Sequence, residues 1–134
     1  METKNFIVTI DGPVGSGKST VGRLLADRLG LVYLDTGAMY RAVALAAHQR
    51  GIHPDDEEEL GRLCQEIDIS FLQDRNGQRT ILCGADVTDR IRTPEISMLA
   101  SRVSALGSVR AALVAMQRHI GRDGGIVVDG RDAG

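Results

Sequence analysis

Apolar runs and helical patterns alternate in the first third of the chain. A β-branched run at residues 6–10 ends at the turn signal Asp-Gly-Pro, and residues 31–34 form a second apolar run, so each run predicts a strand. Between them, residues 21–29 place valine and leucine at helical spacing up to Gly30, which is typical of a helix end. A strand, a helix and a strand of this length predict two parallel strands joined by a right-handed crossover.

The middle of the chain has a different pattern. Residues 35–37 are expected to cap a helix that runs to about Arg50 and ends at a glycine. The acidic residues 55–59 open another predicted helix, and we interpret them as a solvated first turn that suits the helix dipole rather than as a metal site. Alternating apolar positions on both sides of an Asn-Gly turn at residues 76–77 predict a two-stranded antiparallel hairpin.

Two more helices and a last strand complete the pattern. Residues 93–95, Thr-Pro-Glu, are typical of a helix start, and residues 107–108 are expected to break and recap the chain before the next helix. Residues 126–129 predict a strand that is buried on both faces. The apolar stripes of the two helices are Ile96, Leu99, Ala100 and Val103 in the first and Val109, Ala112, Leu113, Met116 and Ile120 in the second.

These elements predict an α/β fold, in which helices flank a parallel sheet and a small antiparallel hairpin forms an insert. The length of 134 residues suits one domain that buries roughly two thirds of its unfolded surface. A parallel sheet of three strands leaves an edge uncovered. We therefore expect that something else completes the domain or that the chain is a fragment of one.

Composition excludes several classes of function. Sixteen Lys and Arg against eighteen Asp and Glu give a net charge of −2, which does not favour a nucleic-acid polymer but allows a small anion held by local cations. The sequence has no apolar run long enough to span a membrane and no signal peptide, so we expect a cytoplasmic protein. Cys64 and Cys83 are expected to be small buried residues in a reducing compartment, with a disulfide left open.

A phosphate-binding pattern follows the first predicted strand. Its glycines at positions 12 and 17 allow backbone N–H groups to turn toward phosphate oxygens, and the helix that follows adds its dipole. Lys18 is expected to contact the β- and γ-phosphates, and the Ser19 hydroxyl is expected to bind Mg²⁺. The segment predicted to bind a nucleoside triphosphate is Gly12, Pro13, Val14, Gly15, Ser16, Gly17, Lys18, Ser19 and Thr20.

Polar residues also follow the other two predicted parallel strands, whose carboxyl ends are where such sheets bind ligands. Tyr40 and Arg41 lie in the first predicted turn of a helix, from which Arg41 can reach a second phosphate. Asp129 ends the last strand and suits a Walker-B-like role, in which it holds the water shell of the metal. The planar guanidinium of Arg131 can donate two parallel hydrogen bonds to a phosphate. The two arginines predict an acceptor phosphate beside the donor phosphate. The guanine-recognition pattern of GTPases, Asn-Lys-x-Asp, is absent from the sequence, which argues weakly against a GTPase.

Taken together, these motifs resemble those of the bacterial cytidylate kinases. The resemblance is carried by the phosphate-binding segment, by Leu-Asp-Thr-Gly-Ala-Met-Tyr-Arg at residues 34–41, by Ile-Arg-Thr-Pro-Glu-Ile at 91–96, by Val-Arg at 109–110 and by Asp-Gly-Arg-Asp at 129–132. It implies a P-loop nucleoside monophosphate kinase fold over residues 1–134, with a monophosphate-binding insert at about residues 53–104. Because family members continue into further strands, a lid with several arginines and an adenine-contacting loop, it also implies that the chain is truncated at its C-terminus.

The resemblance implies transfer of the γ-phosphate of ATP to CMP, and to dCMP, with ATP and Mg²⁺ bound at the donor site. Lys18, Arg41 and Arg131 are the implied catalytic residues, and the two arginines would bind the CMP phosphate. Tyr40 is expected to line the substrate site, where the cytosine would contact Thr36, Ser101, Arg110 and Asp132. We expect a monomer whose partners are small nucleotides, without a polymeric nucleic acid or a membrane as a partner.

Two other functions stay open. A P-loop kinase of another small acceptor, such as shikimate, would share the donor site, although the long middle insert and the Tyr40-Arg41 pair argue against it. The chain could also bind ATP without transferring phosphate. Consumption of ATP with and without CMP distinguishes the three functions.

Overall fold

The chain forms two compact units. The computed structural model describes residues 7–10, 24, 28, 32–74, 77–120 and 126–129. One unit comprises Met1–Gly37 and Val114–Gly134, and the other comprises Ala38–Leu113. The insert predicted at about residues 53–104 lies within the second unit.

The described elements follow one another in the order strand, strand, helix, helix, three strands, three helices, strand. They are β1 (Ile7–Ile10), β2 (Val32–Asp35), α1 (Thr36–Arg50), α2 (Glu57–Glu66), β3 (Ile69–Asp74), β4 (Gly77–Leu82), β5 (Ala85–Asp86), a 3₁₀ helix (Arg90–Arg92), α3 (Pro94–Val103), α4 (Gly107–Ile120) and β6 (Ile126–Asp129).

The first unit contains a three-stranded sheet in the order β1-β6-β2. β6 pairs in parallel with β1 on one side and with β2 on the other, so the strands that the sequence predicted as parallel run in one direction. β1 and β2 follow each other among the described strands of the chain but are not paired with each other, because β6 lies between them in the sheet. Of the helix predicted at residues 21–29, the structure describes Leu24 and Arg28, which are both helical and exposed.

Helix α1 forms a large part of the core of the second unit. Residues 42–47 are all buried, and four of them are alanines, whose small side chains allow close packing on every side of the helix. The helix ends with a Schellman motif, in which Ile52 N–H donates to the Ala47 carbonyl (2.9 Å) and Gly51 N–H to the His48 carbonyl (3.2 Å). Gly51 has a φ of 71°, which suits a residue without a side chain. The predicted end of this helix at about Arg50 is confirmed, whereas Thr36 and Gly37, which were expected to cap it, are already helical.

Helix α2 begins with the acidic segment that the sequence analysis interpreted as a solvated first turn. Asp56 is its N-cap and accepts a hydrogen bond from Glu59 N–H (3.2 Å). The opposite face buries Leu60, Leu63 and Cys64, and burial raises the pKa of the Cys64 thiol to about 11. The acidic side chains in the first turn remain exposed or half-buried, as predicted.

The predicted hairpin is part of a larger sheet. β3 and β4 pair antiparallel, with Ile69 opposite Leu82 and Asp74 opposite Gly77, and β4 also pairs with the short strand β5. The prediction of two strands was therefore wrong, because Cys83 and Gly84 form a second tight turn with φ angles of 50° and 85°. Positive φ at both positions is typical of the type I′ turn that joins twisted strands.

This turn also corrects the prediction for Cys83, which is exposed rather than buried because it occupies the loop between two strands. Both cysteines are free thiols in the structure, so the disulfide that the sequence left open does not form there.

Helix α3 starts as the sequence predicted. The hydroxyl of Thr93 accepts a hydrogen bond from Ile96 N–H (3.2 Å), and Pro94 is the first helical residue, where its missing N–H has no cost. The predicted stripe is buried at Ile96, Ala100 and Val103. Among the described residues no single helix is long and apolar enough to cross a membrane, and α3 and α4 reach that length only as a pair bent by 98°.

Helix α4 is capped differently from the prediction. Ser108 does not cap the chain, because it lies inside the helix, and the preceding Leu106 offers no side-chain acceptor. Instead the carboxylate of Glu57, on α2, accepts the hydrogen bond from Ser108 N–H (3.0 Å). The Val109 and Leu113 side chains of this helix are fully buried, in agreement with the predicted stripe.

Asp86 is the centre of a hydrogen-bond network beside the three-stranded antiparallel sheet. Its Oδ1 accepts from Thr88 N–H (3.0 Å) and from the Thr88 hydroxyl (2.6 Å), and its Oδ2 accepts from Arg79 Nε (2.9 Å). The Thr88 hydroxyl in turn accepts from Thr80 N–H (2.9 Å). Thr88, and to a lesser degree the Arg79 guanidinium, hold the pKa of the Asp86 carboxyl at about 2, below its usual value.

We expect this network to make the stability of the protein depend on pH in the acid range. Because the folded-state pKa of Asp86 lies below its unfolded-state pKa, its contribution is present above the unfolded value and is lost as pH falls toward about 2. The difference in unfolding free energy between wild type and Asp86→Asn should thus shrink as pH falls through this range. Urea unfolding measures it, with Asp89→Asn, which makes no side-chain capping bond, as the matched control. A difference that is constant with pH would contradict the assignment.

Candidate functional site

The three parallel strands end at the same level of the sheet in the first unit. Ile10 is the Cα partner of Asp129, and Asp129 is the Cα partner of Asp35, so the last residues of β1, β6 and β2 are neighbours. Each of the three predicted binding segments follows one of these strand ends in the sequence. Parallel α/β sheets bind ligands outside the carboxyl ends of their strands. The register therefore brings together the backbone positions from which these three distant segments continue.

Two carboxylate residues occupy neighbouring positions at this edge, because Asp35 and Asp129 are paired on adjacent parallel strands. Oxygen donors of this kind suit a hard divalent cation. No group of three His, Cys, Asp or Glu side chains that could hold a metal occurs among the described residues. A cation here would therefore also need oxygen atoms from the phosphate-binding segment or from a ligand.

The first turn of α1 continues directly from the end of β2. Thr36, the first residue of the helix, is buried, with 7% of its surface exposed. Tyr40 and Arg41 are half-buried, and they lie in the second turn rather than in the first turn that the sequence predicted, because the helix begins at Thr36. The first turn itself contains no acidic residue, but Asp35 directly precedes it and places a negative charge beside the positive end of the helix dipole. Helical side chains lean toward the N-terminus, so Arg41 is expected to lean over position 37, which is a glycine. The start of α1 therefore carries a hydroxyl group, and the next turn carries a phenol and a guanidinium.

The other described residues of the predicted substrate site lie in the second unit. Ser101 is exposed on α3, and its carbonyl accepts a hydrogen bond from the Ser104 hydroxyl (3.0 Å). Arg110 is exposed in the first turn of α4. The structure thus places these two residues on consecutive helices and places Tyr40 and Arg41 in one helical turn.

The remaining predicted site residues lie outside the described part of the chain. They are the whole phosphate-binding segment, Gly12, Pro13, Val14, Gly15, Ser16, Gly17, Lys18, Ser19 and Thr20, together with Arg131 and Asp132. Asp129 is described by its backbone alone.

Two acidic residues, one just before α2 and one at its first position, have contacts that the sequence does not reveal. Asp55 accepts a hydrogen bond from Arg102 Nη2 (2.9 Å), and Glu57 binds Ser108, so they reach the helices that carry Ser101 and Arg110. Pairs separated by 47 and 51 residues leave no local signal in the sequence. Only the tertiary structure reveals them.

Comparison with known proteins gives one consistent match. Residues 8–134 match the sequence profile of the family described as Cytidylate kinase. The curated relatives include the cytidylate kinases of Geobacter sulfurreducens, which is 51% identical over 131 residues, of Enterococcus faecalis, 50% identical over 127 residues, and of Bacillus subtilis, 44% identical over 131 residues.

The coverage of these matches is unequal. The alignments include 98%, 95% and 98% of this chain but 56%, 56% and 58% of the respective relatives. The chain therefore spans little more than half the length of the curated relatives that it matches.

Proposed function

This chain belongs to the cytidylate kinase family, and on that premise we propose that it transfers the γ-phosphate of ATP to CMP or dCMP. The observation that carries the proposal is the register of the parallel sheet, in which Ile10, Asp129 and Asp35 are neighbours. This alignment supports a donor segment and two acceptor segments at one edge. Phosphoryl transfer needs such an arrangement, because catalysis consists mainly of alignment and charge stabilisation.

The donor half of the proposed site is the segment 12–20. Its backbone N–H groups bind the phosphates of ATP, and Lys18 places its charge beside the phosphoryl group that is transferred. The glycines matter because side chains at those positions would obstruct the close approach of the backbone to the phosphates.

The residues present fit a divalent cation at the donor site. Carboxylate residues at two neighbouring positions, Asp35 and Asp129, and the hydroxyl of Ser19 are oxygen donors of the kind that Mg²⁺ prefers. In the proposal Ser19 is the direct ligand and Asp129 holds a water of the metal. When bound, Mg²⁺ neutralises charge on the β- and γ-phosphates.

The acceptor half of the proposed site contains Arg41 and Arg131. Each guanidinium donates two parallel hydrogen bonds to the CMP phosphate and holds it in line with the donor. No side chain has to act as a general base, because a phosphate monoester dianion is already a nucleophile. The half-buried position of Arg41 in the second turn of α1 supports this role, since partial burial restricts a long side chain.

Recognition of the base completes the proposal. Asp132 accepts a hydrogen bond from the amino group at C4 of cytosine, and Arg110 donates to the neighbouring acceptors. Uracil presents an acceptor at C4 and a donor at N3, so it would leave these groups unpaired, at about 1–3 kcal/mol each. Thr36, Tyr40 and Ser101 line the rest of the substrate site.

The first test measures ADP formation from ATP in the presence of different acceptors. We expect CMP-dependent turnover from the chain extended by the remaining C-terminal segment of the Geobacter sulfurreducens relative. A test protein made of residues 1–134 alone should turn over slower than the extended protein by roughly 10³-fold or more, because it would not include the lid arginines that the family resemblance implies. Turnover with shikimate but not with CMP, or ATP binding without any turnover in the extended protein, would contradict the proposal.

The second prediction concerns Lys18. Lys18→Ala should fold normally and lose ATP affinity by roughly tenfold or more, because a charge-assisted contact to phosphate is removed. Calorimetry with ATP measures the loss. Lys4→Ala, which removes the only other lysine, is the matched control and should bind ATP like wild type. Unchanged affinity in a folded Lys18→Ala variant would remove Lys18 from the site.

The third prediction concerns base choice. Asp132→Asn should reduce the preference for CMP over UMP, because an amide can also donate to the C4 oxygen of uracil. The ratio of CMP to UMP affinity in the extended protein is the measurement. Asp123→Asn makes the same change of charge nearby in the sequence and should leave the ratio unchanged. If Asp132→Asn also leaves it unchanged, Asp132 pairs with an arginine rather than with the base.

A further inference from the structure

Two hydrogen bonds join the first turn of α2 to the first turn of α4. The Glu57 carboxylate accepts from Ser108 N–H (3.0 Å), and the Glu57 carbonyl accepts from the Ser108 hydroxyl (3.1 Å). The first N–H groups of a helix have no partner inside it, and Leu106, which precedes α4, offers no side-chain acceptor. Glu57 therefore supplies from another helix the cap that the local sequence lacks.

Ser108 of α4 lies close to α2 over one turn of that helix, from Glu57 to Gly61. Gly61 lies one turn after Glu57, and a Cβ atom at this position would be 3.5 Å from Ser108 Cβ and 3.6 Å from its Oγ. Val109, the next residue of α4, is fully buried. Arg110 follows immediately, so its backbone position depends on how the first turn of α4 is held.

A neighbouring ion pair joins the same segment to α3. Arg102 Nη2 donates to Asp55 Oδ2 (2.9 Å), and Arg102 is adjacent to Ser101 in the sequence. Both side chains of this pair are at least half exposed, so the pair by itself is weak. Asp55 and Glu57 thus contact both helices that carry proposed base-recognition residues, with one hydrogen bond from Arg102 to Asp55 and two hydrogen bonds between Glu57 and Ser108.

We propose that Glu57 is a positioning residue for pyrimidine recognition, which acts by fixing the first turn of α4 and with it Arg110. The inference rests on the proposed function, because it assumes that Arg110 meets the base. Glu57 does not touch the nucleotide in this proposal. Its effect is on the affinity for CMP and not on the affinity for ATP.

The same helical turn provides a matched control. Glu58 carries the same charge one residue later, but its carboxylate pairs only with Arg62 of its own helix (3.3 Å) among the contacts described. Glu57→Ala and Glu58→Ala therefore make the same change of charge at the same helix end, and only the first removes a contact to α4.

The test compares these variants in the extended protein by calorimetry with CMP, UMP and ATP and by hydrogen exchange of the amides at residues 107–110. Glu57→Ala should weaken CMP binding by roughly three- to tenfold, because a small displacement of a recognition residue is costly. It should also reduce the CMP-to-UMP ratio, speed exchange at the first turn of α4 and leave ATP affinity unchanged. Glu57→Gln keeps an acceptor oxygen and should restore most of the CMP affinity, and Glu58→Ala should behave like wild type.

Equal effects of Glu57→Ala and Glu58→Ala, or an equal loss of CMP and ATP affinity, would overturn the inference while leaving the proposed function intact. A wild-type protein that binds no CMP would instead overturn the proposed function, and the inference with it. If Glu57→Ala does not fold, Ser108→Ala removes only the hydroxyl bond to the Glu57 carbonyl. It should weaken CMP binding in the same direction by a smaller factor, and an unchanged affinity would also contradict the inference.

Discussion

The pairing of β6 between β1 and β2 is the constraint on which the proposed site depends. β6 is the last element of the described chain, and its backbone hydrogen bonds to both neighbours bring the ends of three strands to one level. In the proposed function, the segments that follow those ends supply the donor phosphate site and the two acceptor arginines. Since the ladder consists of backbone bonds, the alignment does not require particular side chains at the edge.

Exposed carboxylates have a second organising role, in the unit formed by Ala38–Leu113. Glu57 binds the first turn of α4, Asp55 binds Arg102 on α3, and Asp86 binds Thr88 and Arg79 beside the antiparallel sheet. In each case a carboxylate accepts from a group on another element or strand. Hydrogen bonds to a carboxylate are stronger than those between neutral groups, although solvent weakens an exposed ion pair such as that of Asp55 with Arg102.

An arrangement in which backbone pairing aligns the strand ends and carboxylates contact the helices suits the chemistry proposed for the protein. Transfer of a phosphoryl group involves little covalent participation by side chains, so its rate depends on how accurately donor and acceptor are held. The parallel sheet would supply the phosphate-binding edge, and α3 and α4 would supply Ser101 and Arg110 for the base. Residues that hold those helices can then affect the choice of nucleotide without contacting it.

The sequence by itself determined the local features. The extent of α1 to Arg50, the cap at Thr93 and the solvated acids of α2 follow from spacing, capping residues and charge, which act over a few residues. The motifs at residues 12–20, 34–41 and 129–132 likewise identified the family before any contact was known. The tertiary structure alone decided that β6 lies between β1 and β2, that Cys83 is exposed in a second turn and that Glu57 rather than Ser108 caps α4. The strand order and the cap of α4 depend on residues tens of positions apart, and a hydrogen bond between such residues leaves no periodicity in the sequence.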